Sequence, residues 1–383
     1  MKQNFFCGAL ALFILAPVAA TAKSGNATGG GNATGGGGAR KIFSTLWTRS
    51  LKTGSSAKRH FPESASPYSA NGRVFTGTHS SIFYAVSESD GKILWTYRSN
   101  GPIASRPIAD DATVYFGNNK GTIYALDASS GAKRWEYFVG GEVLAQPALR
   151  GGSLYVVTTS REVYGLDAES GAEKWNAAIK GFENEFTMRG SSPVVVSGDR
   201  LYIGFADGQV VALSSGSGSL VWSRDLAEGN PVFKDVDAAV LVDGGSLYVV
   251  GYFGALVRLS PGSGQVLWKK EIRSGADIAT DETTLYLASA DGKAVAFDKS
   301  SGVRRWEVAL DAGTLSAPVV IGNHVLLGAE NGKGYVFDKK DGKVLQTLPI
   351  SGGVWGNPSL GASRAYLLSG SGKIYSLQSA SLL

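Results

Sequence analysis

The chain has 383 residues, 43% hydrophobic, 10% aromatic and 18% charged, a globular composition that excludes disorder throughout. Glycine is frequent, 52 residues against 12 prolines, and has no three-residue period, so a collagen-like rod is excluded and a turn-rich fold is expected. The net charge of +5 comes mostly from Lys2, Lys23, Arg40 and Lys41 near the N-terminus; the rest carries 33 basic and 32 acidic residues, too even a balance for anything but a local patch to bind phosphate.

Residues 1–22 read as an export signal. Lys2 supplies the positive start, Phe5 to Val18 the apolar run, and Ala20-Thr21-Ala22 the small-residue cleavage site. The run is shorter than the roughly 20 residues of a membrane-spanning helix. The one cysteine, Cys7, sits near the start of the run rather than after it, so there is no lipobox. A mature chain without cysteine can form neither a disulfide framework nor a CxxC zinc site. Residues 23–41 follow as a Gly-rich flexible linker. It contains two glycosylation sequons, Asn26-Ala27-Thr28 and Asn32-Ala33-Thr34, which duplication of a small-residue linker explains. Export implies a periplasmic or secreted protein.

From Ile42 a unit repeats, and its end is the clearest part: SIFYAVSESDGKILW (81–95), TIYALDASSGAKRW (122–135), EVYGLDAESGAEKW (162–175), QVVALSSGSGSLVW (209–222), ALVRLSPGSGQVLW (255–268), KAVAFDKSSGVRRW (293–306) and KGYVFDKKDGKVLQ (333–346). Tryptophans fall at 47, 95, 135, 175, 222, 268 and 306, with Gln346 in the next slot. A spacing of about 40 residues is that of four-stranded propeller blades. Each unit opens on a short strand marked by Pro67, Pro107, Pro147, Pro193, Ala239, Ala279, Pro318 or Pro358. Alternating large and small apolar residues give the following strands.

Trp47 belongs to a fourth strand that precedes the first complete unit, whereas the last unit stops after its third strand. The two orphans complete one blade. The fold class expected is therefore all-β: an eight-bladed β-propeller over 42–383, its ring closed by the N-terminal strand at about 42–50. Closure removes long exposed edges. Gly91, Gly131, Gly171, Gly218, Gly264, Gly302 and Gly342 are expected to supply positive φ in the third hairpin of each blade. The tryptophans, one per blade, are expected between neighbouring sheets, and the turn aspartates as local caps.

Chemistry is hard to find. His60, His79 and His324 lie in different units without metal-ligand spacing and are expected as surface or loop residues. There is no G-x-S-x-G elbow. Gly370-Ser371-Gly372-Lys373 has the look of a phosphate loop, but Ile374 replaces the hydroxyl residue and Leu367 the first glycine; it reads as a hairpin turn. No catalytic, cofactor-binding or metal-binding residue is assigned.

Two consecutive units are longer, at 46 residues from Pro147 to Pro193 and 46 from Pro193 to Ala239. The excess lies between the fourth strand and the next first strand, in KGFENEFTMRGSSP (180–193) and AEGNPVFKDVDAA (227–239). Neighbouring long loops on one rim of a rigid ring are where function is usually carried. Phe182, Phe186, Met188 and Arg189, with Phe233, Lys234, Asp235 and Asp237 opposite, have the composition of a protein interface. Packing of Phe186 and Met188 into a seam, with Arg189 paired to Asp235 or Asp237 inside the chain, explains the same residues equally well.

FTMRGSSP (186–193), KDVDAAVLV (234–242) and GALVRLSPGSGQVLWKKEI (254–272) resemble the BamB family, propeller subunits of the machinery that assembles β-barrels in the bacterial outer membrane, within the wider group of quinoprotein-type propellers. In that family a Leu-x-Leu-Arg-Gly loop and an Asp-Val-Asp loop bind the periplasmic POTRA domains of the barrel protein BamA. By this resemblance Phe186 and Met188 take the leucine places, and Arg189, Asp235 and Asp237 are retained as protein-binding residues. The resemblance implies a non-enzymatic, monomeric periplasmic scaffold without cofactor. Family members are typically lipoproteins; without a lipobox, this chain is expected to reach the outer membrane through its partner. The alternatives are a pyrroloquinoline-quinone dehydrogenase, a class usually longer, with inserted ligand loops and a cysteine pair, and a propeller binding a small ligand in its channel.

Overall fold

The computed structural model describes residues 41–51, 62–181, 191–227, 239–251, 254–272, 278–289, 291–361 and 363–380. The expected signal peptide, nearly all of the linker, Cys7 and His60 lie outside the described residues.

Alternating apolar runs of five or six residues fold into eight antiparallel sheets of four strands each, the eight-bladed propeller that the repeat implies. We label the strands of a blade A to D, from the first of the unit to the fourth. Strand A follows the proline wherever one is present, because proline has no N–H to give to a ladder. In blade 3 the pairing begins at Ala148, just past Pro147. In blade 5, where the slot holds Ala239, strand A runs Ala239–Asp243 and pairs from its first residue.

Blade 8 takes strands A to C from the C-terminus (Ser359–Leu360, Arg364–Leu368, Lys373–Ser379) and strand D from the N-terminus (Phe43–Ser50). The closing pair runs in register from Phe43 opposite Ser379 to Ser50 opposite Lys373, with a bulge between Thr45 and Trp47. Gly370 to Gly372 sit in the turn between strands B and C of this blade, as expected of a hairpin rather than a phosphate loop.

The core lies at the seams. Eight clusters of buried side chains each join one blade to the next; that between blades 4 and 5 brings Tyr202, Val210 and Ala212 against Val240, Leu247 and Val249. Each of the seven tryptophans of the repeat reaches across a seam. Its indole N–H donates to a carbonyl in the next blade's C–D turn, as Trp95 does to Ala128 at 3.1 Å, Trp135 to Ala168 at 3.0 Å and Trp222 to Pro261 at 2.9 Å. The ring lies flat on the glycine of that turn: a Cβ on Gly131 would meet Trp95 at 2.6 Å. Each of the seven turn glycines also has φ between 66° and 75°, so two independent constraints exclude a side chain there.

Gln346 breaks the tryptophan series for a geometric reason. The next blade's C–D turn does not exist, because that junction is where the two chain ends meet. The Gln346 amide serves the arriving strand instead: its Oε1 accepts from the N–H groups of Ile42 (2.9 Å) and Phe43 (2.8 Å), and its Nε2 donates to the Phe43 carbonyl (2.8 Å).

The turn aspartates are local caps, as expected. Asp127 Oδ1 accepts from the backbone and hydroxyl groups of Ser129 and Ser130. These bonds, together with Arg134, hold its carboxyl well below the usual carboxylate range. The bonds from Ser170, with Lys174 beside them, hold Asp167 at about 2. Arg305 and the two serines of its turn likewise hold the Asp298 carboxyl well below the usual carboxylate range.

Two outcomes follow from these contacts. Gln346→Ala strips three backbone partners from the closing strand and is expected to cost about 1–3 kcal/mol, read as a lower urea midpoint. The lowered pKa values of Asp127, Asp167 and Asp298 make their contribution fully present above the unfolded carboxylate value and lost as pH falls toward about 2. Acid melts should therefore show stability declining below about pH 4, and less steeply in the Asp127→Asn/Asp298→Asn double variant.

Candidate protein-binding rim

In an antiparallel blade the A–B and C–D turns share one end, and the B–C turns and D–A connections share the other. Four D–A connections are nine residues long: 99–107, 139–147, 310–318 and 350–358. Those at 179–194 and 226–238 are longer, and they leave adjacent blades, 3 and 4, on the same rim. Phe186, Met188, Arg189, Asp235 and Asp237 lie in these two connections, outside the described residues. The structure places the feet of the connections.

A third long connection, 51–67, follows the closing strand. The repeat does not mark it, because the first prolyl slot, Pro67, lies at its end. Its described end is tied down: Glu63, 3% exposed, accepts from the His79 backbone N–H at 2.8 Å and lies 3.2 Å from His79 Nδ1. His79 is in a B–C turn, as expected of a loop histidine. His324 departs from that expectation: it starts strand B of blade 7 (His324–Gly328) and packs edge-on to Phe43, with ring centroids 6.3 Å apart.

The feet of the 179–194 connection converge on the B–C turn of blade 4, between Arg200–Gly204 and Gln209–Ser214. Arg161, in the B–C turn of blade 3, reaches over that turn. Its Nη1 lies 3.0 Å from Asp207 Oδ2, its Nη2 donates to Gln209 Oε1, and its Nε donates to the Ile179 carbonyl at 3.2 Å. The guanidinium carbon sits 4.0 Å from the centre of the Phe205 ring, a cation–π arrangement. A Cβ on Gly181 would come within 3.1 Å of Asp207 Oδ2, so the chain passes directly against the ion pair. At the other foot Ser191 bridges to Phe205, and the Ser192 N–H donates to the Gly204 carbonyl at 2.9 Å.

Arg161 is held at φ +65°. The matching turn position in other blades is Gly121, Gly208, Gly254, Gly292, Gly332 or Gly372, each at positive φ, and Ser81 in blade 1. A side chain in this conformation costs about 1–2 kcal/mol. The cost is offset by an ion pair in which Asp207 is buried, an arrangement in which loss of one partner typically costs about 3–5 kcal/mol. No sequence signal singled out Arg161, since its partners lie on another blade.

Toward the ring axis, residues just before strand A from several blades line a cavity of about 240 Å³ that includes Ser64, Arg106, Gln146, Ser191, Trp355 and Asn357. The entrances of neighbouring blades are cross-linked here. The Asn357 N–H donates to Ser66 Oγ at 2.8 Å, the Ala317 N–H to Asn357 Oδ1 at 3.0 Å, and Gln146 Nε2 to the Pro107 carbonyl at 3.0 Å. Among the described residues no group of three or more His, Cys, Asp or Glu side chains is placed to hold a metal ion.

The family model described as "Outer membrane protein assembly factor BamB" matches residues 44–123, 106–273 and 253–381. The chain belongs to the BamB family. It is similar to the outer membrane protein assembly factor BamB of Legionella pneumophila (strain Paris), 28% identical over 193 residues, which are 49% of this chain and 50% of that protein. The match thus spans about half the length of that relative. The crystal structure of BamB from Moraxella catarrhalis superposes with a TM-score of 0.78 at 25% identity, covering 88% of this chain and all of that one. The quinohemoprotein alcohol dehydrogenase of Comamonas testosteroni superposes with a TM-score of 0.70 at 15% identity, over 88% of this chain and 76% of that one. The second likeness is one of fold alone.

Proposed function

We propose that this BamB-family propeller is a non-enzymatic, monomeric scaffold of the β-barrel assembly machinery, exported to the periplasm after cleavage of residues 1–22. It docks the POTRA domains of a BamA-like barrel protein through the 180–193 and 227–239 segments and is held at the outer membrane by that partner. The observation that carries this reading is the family match over residues 44–381, combined with two extended connections leaving adjacent blades on one rim. Phe186 and Met188 supply apolar contact. Arg189, Asp235 and Asp237 supply the charges that fix register and steer encounter.

Arg189→Ala and Asp235→Ala test the reading with purified POTRA domains in a titration. If these charges are desolvated in the complex, each substitution costs about 2 kcal/mol or more, a loss of roughly 30-fold in affinity. Unchanged affinity in both variants would overturn the assignment.

The fold likeness to a quinohemoprotein dehydrogenase supports a second reading, a pyrroloquinoline-quinone enzyme, which a dye-linked alcohol oxidation assay with added cofactor and calcium decides. The scaffold reading expects no turnover.

A further inference from the structure

The two long connections meet at one turn. The first has its feet on Phe205 and on the Arg161–Asp207 pair. The second begins with the Leu226 N–H donating to the Gly208 carbonyl at 3.0 Å, a bond with counterparts in other blades. Side chains also fasten that turn to the D strand leading into the connection and to the neighbouring blade: Gln209 Nε2 donates to Ser223 Oγ at 2.8 Å while its Oε1 accepts from Arg161. Arg161 therefore links Ile179, at the start of the first connection, through Gln209 to Ser223, just before the second.

We propose that Arg161 is a positioning residue of the partner-binding rim. It locks the Phe205–Gln209 turn of blade 4 and thereby fixes the feet of both long connections relative to each other. The inference rests on the docking reading above, but the clamp itself is independent of any partner. Its logic is chemical. A planar guanidinium can serve Asp207, Gln209 and the Ile179 carbonyl at once while its face covers Phe205, which the single ammonium of lysine cannot do. Glycine occupies the same turn position in six other blades, so the backbone does not need an arginine to form the turn. Preorganising a binding surface raises affinity by lowering the ordering cost of association.

The test uses the full mature chain and the variants Arg161→Gly and Arg161→Lys. Arg161→Gly suits the backbone at φ +65° and is expected to fold, which circular dichroism checks. Two readouts are measured: amide hydrogen exchange at Ile179, Ser192 and Leu226, with Val139 and Ile350 in other blades as controls, and affinity for purified POTRA domains. With Arg161→Gly, exchange at the three feet is expected to rise about tenfold with the controls unchanged, and affinity to fall about tenfold; Arg161→Lys is expected between wild type and the glycine variant. Unchanged exchange at the feet overturns the clamp whatever happens to binding. Faster exchange with unchanged affinity overturns the positioning role. If wild type itself fails to bind POTRA domains, the docking reading falls, and with it Arg161's role in binding, while the exchange data still decide the clamp.

Discussion

A tryptophan laid across a seam is the contact on which the ring depends. Its ring covers a glycine of the next blade and its N–H is satisfied by a carbonyl of the same turn, so one residue supplies apolar burial, shape matching and a directed hydrogen bond. The glycine is bound twice over, by its φ and by the ring above it. Because the contact always runs from blade n to blade n+1, it sets the direction of the stack. Where the series meets the chain ends, the indole has nothing to dock on, and Gln346 substitutes hydrogen bonds to a free strand for burial on a turn.

The seams are not equivalent beyond that shared contact. Two residues past the tryptophan, Tyr97 and Tyr137 stack edge-on against Tyr124 and Tyr164 of the following blade, with centroids 5.5 and 6.2 Å apart. Between blades 5 and 6 the corresponding residues are Lys270 and Val295, and an open groove of about 980 Å³ remains, lined by these two with Leu287, Phe297, Lys293 and Glu307. Without a tyrosine pair to fill this seam, the fixed blade spacing leaves the volume open.

A rigid ring turns connection length into position. A nine-residue D–A connection only crosses from the outer strand to the next inner one. In the longer connections the feet are set by whatever holds the adjoining turn. At blade 4 that holding is done by Arg161, in a backbone conformation that glycine takes in most other blades. Local strain supported by a buried ion pair and an aromatic face marks a position where side-chain reach outweighs turn preference.

The sequence by itself determined the blade count, the strand order, the closure by the N-terminal strand and the role of the turn glycines, because each follows from a period and from local backbone chemistry that every unit repeats. It also marked the 180–193 and 227–239 segments, as interruptions of that period. It did not show why Gln346 replaces a tryptophan, that 51–67 is a third long connection, that His324 packs on Phe43 within a strand, or that Arg161 governs a turn on the next blade. These were decided by tertiary structure, since each depends on residues brought together across a seam or by ring closure: Gln346 lies 303 positions from the N–H of Phe43 and Arg161 lies 48 from Gln209. A repeat encodes what its units have in common, whereas such contacts arise where two particular units meet.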